Sequence, residues 1–497
     1  MTVGNVNVST LLWIENMKVI SSSSSSAQNT NLKTRLLQLE CHFTWGLRKN
    51  DTDLTYLLKR LEEQLNLDLG GETGVPRTYS YMGFVKFLLG SNTEALHNFE
   101  RSVELTKAHG NDCDKLLVVA YGDLAWLHYY MGHFTECESY LNKLSEIKEK
   151  YPIIPYAEVL GDKGWTFLKF SRRYYDMAKV CFSEALKLDP DDSEWNTGLA
   201  IVLHRTEPTF QDTPNSNPID QLRRAIDYNP DDDVLKVYLA IRLLGQKEYK
   251  EAESLVEKAL EQSPEHPHVL RYVGKYFRGQ GSVDRSIALL TKTLEKVSST
   301  AFIHHQLALC FKKKIINLKK SGRQHLEKEE ILHAQEQCIN HLETAVELNP
   351  CFVIAISELA LQYGESGNVH KAEQTFQNAI EAAKKKRDNY HSVLLRYAEF
   401  QQYCMRCEPA ALKYFTECLK INPNSHEGKR CAENLEKIAK RRIKNNPQDG
   451  EAFGILGIVY KEKGEKQQAI EYFEKALSYV DNEDYLCDLS ELRLSLQ

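Results

Sequence analysis

Arg271, Lys275 and Arg278 fall at spacings of four and three residues, which places three cations on one face of a helix. Tyr272 and Tyr276 lie between them, and the next similarly patterned segment offers Phe302, His305 and Lys312. Cations interleaved with aromatic rings suit a phosphate backbone that carries stackable bases, and they suit an acidic peptide equally well. From Val269 to Lys320 there are eleven Lys or Arg against two acids, Asp284 and Glu295, so a chain of formal net charge −6 carries −15 outside that stretch. The mild average acidity therefore conceals a polarised molecule, and any nucleic-acid partner must be held by local basic residues.

Catalytic spacings are missing. There is no GxxxxGK[ST] loop, HExxH helix or GxSxG elbow. His266 with His268, and His304 with His305, lack a third ligand at metal-binding spacing. Of the twelve cysteines only Cys404 and Cys407 form a CxxC pair, with no second pair to complete a zinc site. Scattered thiols read as reduced residues of a helical core in a cytoplasmic protein. The apolar stretch from Val6 to Ile20 is interrupted by Glu15, Asn16 and Lys18, and no run approaches the roughly 20 apolar residues of a membrane helix. The expectation is a protein that is not an enzyme and has no catalytic residue, cofactor, metal or membrane span.

The elements that must position these residues repeat. Near the C-terminus Phe453, Leu456, Gly457 and Tyr460 precede Ala469, Phe473 and Ala476. This is the spacing of the roughly 34-residue tetratricopeptide repeat, two antiparallel helices whose close approach needs small residues and whose gaps take large ones. The same phase recurs at Ala178, Phe182 and Ala185, at Ala252, Val256 and Ala259, at Ala372, Phe376 and Ala379, and at Ala411, Phe415 and Cys418. Weaker copies run through Ala95 and Phe99, through Gly132 and Tyr140, and through Gly274 and Leu290. The fold expected is all-α, a tetratricopeptide-repeat superhelix of about nine to ten units with extra inserted helices, whose first helices line the concave wall.

A Ser-rich tail over residues 1–30 is expected to be disordered, the helical pattern beginning near Asn31. The array divides into an N-terminal subdomain (31–160), a middle subdomain (161–265), a basic-groove subdomain (266–425) and a C-terminal subdomain (426–497). Residues 206–220 read as a loop inside one repeat, and the charged residues 315–333 as prolonged helices in another.

Longer motifs carry a resemblance. Leu39-Glu40-Cys41-His42-Phe43-Thr44-Trp45, Lys163-Gly164-Trp165, Val269-Leu270-Arg271-Tyr272, Ile303-His304-His305-Gln306 and the terminal Cys487 to Leu494 are similar to the interferon-induced proteins with tetratricopeptide repeats. The similarity runs from about residue 32 to the end. It implies an antiviral protein of innate immunity that binds single-stranded RNA, and no DNA, by a 5′-triphosphate or an unmethylated cap and withholds that RNA from translation. On this resemblance Arg60, Gln64, Lys169 and Arg205 would hold the phosphates. Trp165, Tyr175, His268, Arg271, Tyr272, Arg278, His305, Gln306 and Phe352 would hold the cap or the first nucleotides. His268 replaces a Tyr of close relatives, Asn349 an Asp and Ile354 an aromatic, changes that bear on base or cap preference. The family's Tyr-x3-Leu dimerisation pattern appears as Phe473 to Leu477, and homo- or hetero-oligomers with relatives are implied. The alternative is a protein-interaction scaffold in antiviral signalling that recognises no RNA end.

Overall fold

The computed structural model describes residues 25–66, 71–108, 113–153, 155–207, 218–296, 301–321, 328–386 and 389–495, and every extended regular element in them is helical. The chain splits into two compact units, residues 1–264 and 265–497. The first contains α1 (Ser25–Leu36), α2 (Leu54–Asn66), α3 (Gly71–Leu89), α4 (Asn92–Ala108), α5 (Leu117–Met131), α6 (Phe134–Lys150), α7 (Ala157–Phe170), α8 (Tyr175–Leu188), α9 (Ser193–Thr206), α10 (Pro218–Tyr228), α11 (Asp233–Gly245) and α12 (Tyr249–Gln262). The second contains α13 (Pro267–Gln280), α14 (Val283–Lys296), α15 (Ala301–Lys320), α16 (Lys328–Leu348), α17 (Val353–Glu365), α18 (Val369–Lys386), α19 (Tyr390–Tyr403), α20 (Glu408–Ile421), α21 (His426–Asn445), α22 (Gly450–Lys463), α23 (Lys466–Leu477) and α24 (Glu483–Leu494).

The fold is the all-α tetratricopeptide-repeat superhelix that the spacing predicts. Its small-against-large rule is visible at two helix pairs. A Cβ on Gly164 would lie 2.8 Å from the Phe182 ring, and one on Gly457 would lie 2.6 Å from Phe473. Only glycine lets α7 meet α8, and α22 meet α23, at that distance. Phe182, Phe376, Phe415 and Phe473 are fully buried, as the repeat phase requires of its large residues.

The segment before α2 is anchored by side chains and not by a repeat partner. The His42 backbone N–H donates to Asp123 Oδ1 at 3.0 Å, and His42 Nδ1 lies 2.6 Å from Asp123 Oδ2. Its other ring nitrogen lies 3.1 Å from Thr166 Oγ1 on α7. Ser80 Oγ on α3 donates to the same Asp123 oxygen. A cage of Trp45, Tyr81 and Phe84 closes over the imidazole. Nearby, Lys163 Nζ and the Trp45 indole N–H both donate to Glu40 Oε2. The motif from Leu39 to Trp45 thus ties α3, α5 and α7 to the start of the array.

The tail expected over residues 1–30 lies outside the described residues as far as residue 24, and α1 already begins at Ser25. Residues 208–217 of the expected loop lie outside them too. In the second insertion α15 extends to Lys320 and α16 starts at Lys328, with residues 322–327 outside the description. Among the described residues no helix is long and apolar enough to cross a membrane.

Candidate functional site

In the first unit Asp162, Trp165 and Lys169 share one face of α7, at i, i+3 and i+7. Arg60 and Gln64 present one face of α2, whose first turn is started by Asp53 Oδ1 accepting from the Thr55 and Tyr56 amides. Lys169 Nζ donates to Gln64 Oε1 at 3.3 Å and lies 5.9 Å from the Trp165 ring. Arg60 is exposed one turn before Gln64, its guanidinium 6.0 Å from the Tyr56 ring. Arg205, in the last turn of α9, donates to Tyr175 Oη at 3.4 Å and lies 5.9 Å from that ring.

The electrostatics of this cluster turn on a residue that the sequence reading passed over. Arg77 on α3 donates from Nε to Asp162 Oδ1 and from Nη2 to Glu194 Oε2, each at 2.6 Å, and its guanidinium lies 5.8 Å from the Trp165 ring. Burial opposes the Arg77 charge, but Glu194 and Asp162 overcome it and keep the guanidinium fully protonated. Lys169 is compensated only in part. Desolvation, then Arg77 and Arg60, push its ammonium down to about 7, with Glu194 and Asp162 pulling the other way. The indole N–H of Trp165 is buried without a hydrogen-bond partner.

In the second unit the basic helix is α13, opened by Pro267 at its first turn and by His266, whose side chain accepts from the Val269 amide. Arg271 contacts His268 and stacks near two rings, Tyr272 at 5.1 Å and Phe302 at 4.9 Å. Arg278 Nη1 donates to Gln306 Oε1 at 2.6 Å. His305 packs edge-on to Phe352 at 4.9 Å. Burial lowers the His305 imidazole to about 4, and its Nε2 has no hydrogen-bond partner. Each of these second-unit candidates therefore touches another: His268 with Arg271 and Tyr272, Arg278 with Gln306, and His305 with Phe352.

A further buried bridge escaped the sequence. Glu358 on α17 accepts from Lys312 at 2.6 Å and from two nitrogens of Arg396 at 2.9 and 2.6 Å. Burial would raise its carboxyl, but Arg396 and Lys312 hold it well below the usual carboxylate range. For Arg77 a partial signal existed, since Asp162 stands on the helix face of Trp165 and Lys169. Nothing local joins Arg77 itself to that face, because its partners lie 85 and 117 residues away.

One arrangement imitates a hydrolytic relay. Asp123, His42 and Thr166 are hydrogen-bonded in series, but all three are buried, His42 inside its aromatic cage. The series serves as an anchor. Among the described residues no group of three or more His, Cys, Asp or Glu is arranged to hold a metal ion.

Tetratricopeptide-repeat family models match residues 74–150, 238–299 and 450–479. The antiviral innate immune response effector IFIT1 of Macaca fascicularis is 33% identical over 467 residues, 91% of this chain and 97% of that protein. Interferon-induced protein with tetratricopeptide repeats 2 of Homo sapiens is 33% identical over 466 residues, again 91% and 97%. Among solved structures, a human IFIT1 dimer with m7Gppp-AAAA has a TM-score of 0.77 at 30% identity, covering 90% of this chain and 99% of that one. A human IFIT1 dimer with PPP-AAAA has a TM-score of 0.75 at 31% identity over the same shares. With such identity sustained along nearly the whole length of its relatives, the chain belongs to the interferon-induced proteins with tetratricopeptide repeats.

Proposed function

We propose that this chain captures single-stranded RNA by its 5′ end, taking a 5′-triphosphate or an unmethylated cap, and so withholds foreign RNA from translation as an antiviral effector of innate immunity. The observation that carries the reading is the excess of positive charge around Lys169. Burial first, then the charges of Arg77 and Arg60, press the Lys169 ammonium toward neutrality against the opposing pull of two carboxylates, Glu194 and Asp162. An anion placed among them would restore the ammonium and gain charge-assisted hydrogen bonds. A triphosphate brings the negative charge that such a site lacks.

In this reading Arg60, Lys169 and Arg205 bind phosphate oxygens and Gln64 adds neutral donors. Tyr175 is held beside Arg205, and Trp165 offers an indole face. His268, Arg271, Tyr272, Arg278, His305, Gln306 and Phe352 hold the leading nucleotides through stacking, base edges and ribose hydroxyls. The neighbours solved with PPP-AAAA and m7Gppp-AAAA, and the antiviral names of the relatives, support the ligand class. The action is sequestration in the cytoplasm and needs neither a chemical step nor a cofactor, DNA or a membrane. Association with copies or relatives of the chain belongs to the same reading, which the human IFIT1 dimers support.

The test is one RNA sequence carrying a 5′-hydroxyl, a 5′-triphosphate or an unmethylated cap, titrated in parallel against the full chain. Tight binding of the triphosphate, with the hydroxyl at least tenfold weaker, is the expected outcome. Equal affinity for all three ends would sink it and favour a scaffold that recognises protein.

A further inference from the structure

We propose that Arg77 is a specificity-determining residue whose guanidinium occupies the place a capping guanine needs, so that the pocket prefers a bare triphosphate to a capped end. The inference deepens the RNA-end reading and rests on it. A guanine base has two recognition features that a protein can use together. Its ring face stacks on an aromatic side chain, and its Watson–Crick edge presents a row of N–H donors that a carboxylate accepts. Beside Lys169 the chain has both, the indole of Trp165 and the carboxylate of Glu194.

Arg77 already uses them. Its planar guanidinium lies 5.8 Å from the centre of the Trp165 ring, and its Nη2 donates to Glu194 at 2.6 Å. A second bond, from Nε to Asp162, fixes its orientation. Two helices, α7 and α9, supply its three partners, and the side chain is only 11% exposed. A planar cation held by two carboxylates is bound more firmly than a neutral base would be, because each of its hydrogen bonds is charge-assisted. A cap would have to displace that bridge and leave a guanidinium without partners in a buried site, a costly exchange. An N7-methylated cap adds its own positive charge next to those of Arg77 and Lys169.

A bare triphosphate needs neither the ring nor the carboxylate. It benefits from Arg77 in a second way, since the bridge offsets part of the charge of Asp162 and Glu194, two anions that would otherwise repel it more strongly. Removing Arg77 therefore acts on the two ends in opposite directions. The triphosphate meets two carboxylates that have lost their Arg77 bonds and weakens, whereas the cap gains the indole face and the Glu194 oxygen that Arg77 engaged. Loss of folded protein would weaken both ends together and leave their ratio where it was.

The experiment measures dissociation constants of one RNA with 5′-hydroxyl, triphosphate, Gppp and m7Gppp ends for the wild type, Arg77→Ala and Arg77→Ala/Asp162→Asn. Circular dichroism accompanies each protein. The double variant removes one of the carboxylates that Arg77→Ala would strand and keeps the test open if the single variant is poorly folded. The wild type should bind the triphosphate at least tenfold more tightly than Gppp. In the folded variants the ratio of Gppp to triphosphate affinity should move at least tenfold toward the cap, and Trp165→Ala added to them should reverse the gain. A ratio that stays put, in a wild type that does distinguish triphosphate from hydroxyl, overturns the role of Arg77. A wild type that treats triphosphate and hydroxyl alike overturns the end-binding reading itself, so the two failures are told apart.

Discussion

At Lys169 burial and neighbouring cations act together against two carboxylates. Desolvation, Arg77 and Arg60 disfavour its proton, Glu194 and Asp162 favour it, and Gln64 accepts the one hydrogen bond that stays good in either state. With the group held at about 7 in the folded chain and near 10.4 when unfolded, the unfolded chain binds more protons between those values. Folding therefore gains stability as the pH rises from 7 toward 10, and this contribution is absent below 7. An RNA end has the reverse effect, because an anion favours the ammonium and raises its pKa. Triphosphate-RNA affinity should thus fall as the pH rises from 7 to 9, with net proton uptake on binding visible as a buffer-dependent calorimetric enthalpy. Lys169→Glu should abolish triphosphate binding and leave the helical circular dichroism unchanged. A flat pH profile in the wild type would remove Lys169 from the phosphate contacts.

Among the elements, the segment from Leu39 to Trp45 shows why a motif can be more distinctive than the repeats around it. A repeat helix needs only residues of the right size, whereas this segment needs one imidazole that reaches Asp123 and Thr166 together while its own backbone N–H bonds the same carboxylate. His42→Ala would take the imidazole from Asp123 Oδ2, strip the buried Thr166 hydroxyl of its His42 partner and empty an aromatic cage. The cost should be at least about 2 kcal/mol, since a stranded buried polar group alone costs roughly 1–3. Urea unfolding of the full chain would measure it, and a change within experimental error would count against the anchoring role. At the other end α24 covers the last repeat. Tyr485, Leu489 and Leu492 pack on Ile470 and Phe473, and Lys461 pairs with Asp488 and Glu491 across the same contact. Phe473, first residue of the pattern read as a dimerisation motif, is fully buried there.

At the scale of the molecule, the net charge of −6 is an average over a strongly basic stretch and a more acidic remainder. Such a chain repels nucleic acid over most of its surface and attracts it locally, so its RNA binding should be steeply salt-dependent. Four phosphate charges of a single strand neutralised by the protein, at a slope of about −0.7 per charge, give a loss of roughly fiftyfold between 50 and 200 mM salt. A titration series in salt checks this, and a slope near zero would leave no room for a phosphate-binding pocket. Repeat arrays pack their core mainly between neighbouring helices. Substitutions in the Lys169 cluster should accordingly leave the second unit's hydrogen-bond networks intact.

The repeat is legible in the residue order alone, because size alternation at fixed spacing is a local property that each helix pair satisfies on its own. That order also marks the basic stretch and, through longer motifs, the family, and it puts Arg60 with Gln64 and Trp165 with Lys169 on single helix faces. Which charges meet is a matter of tertiary packing. Arg77 reaches Asp162 and Glu194 across 85 and 117 residues, and Glu358 joins Lys312 and Arg396 across 46 and 38. Ion pairs have no periodicity to read. They follow from where stacked helices bring side chains within about 3 Å, the range over which a charged hydrogen bond forms.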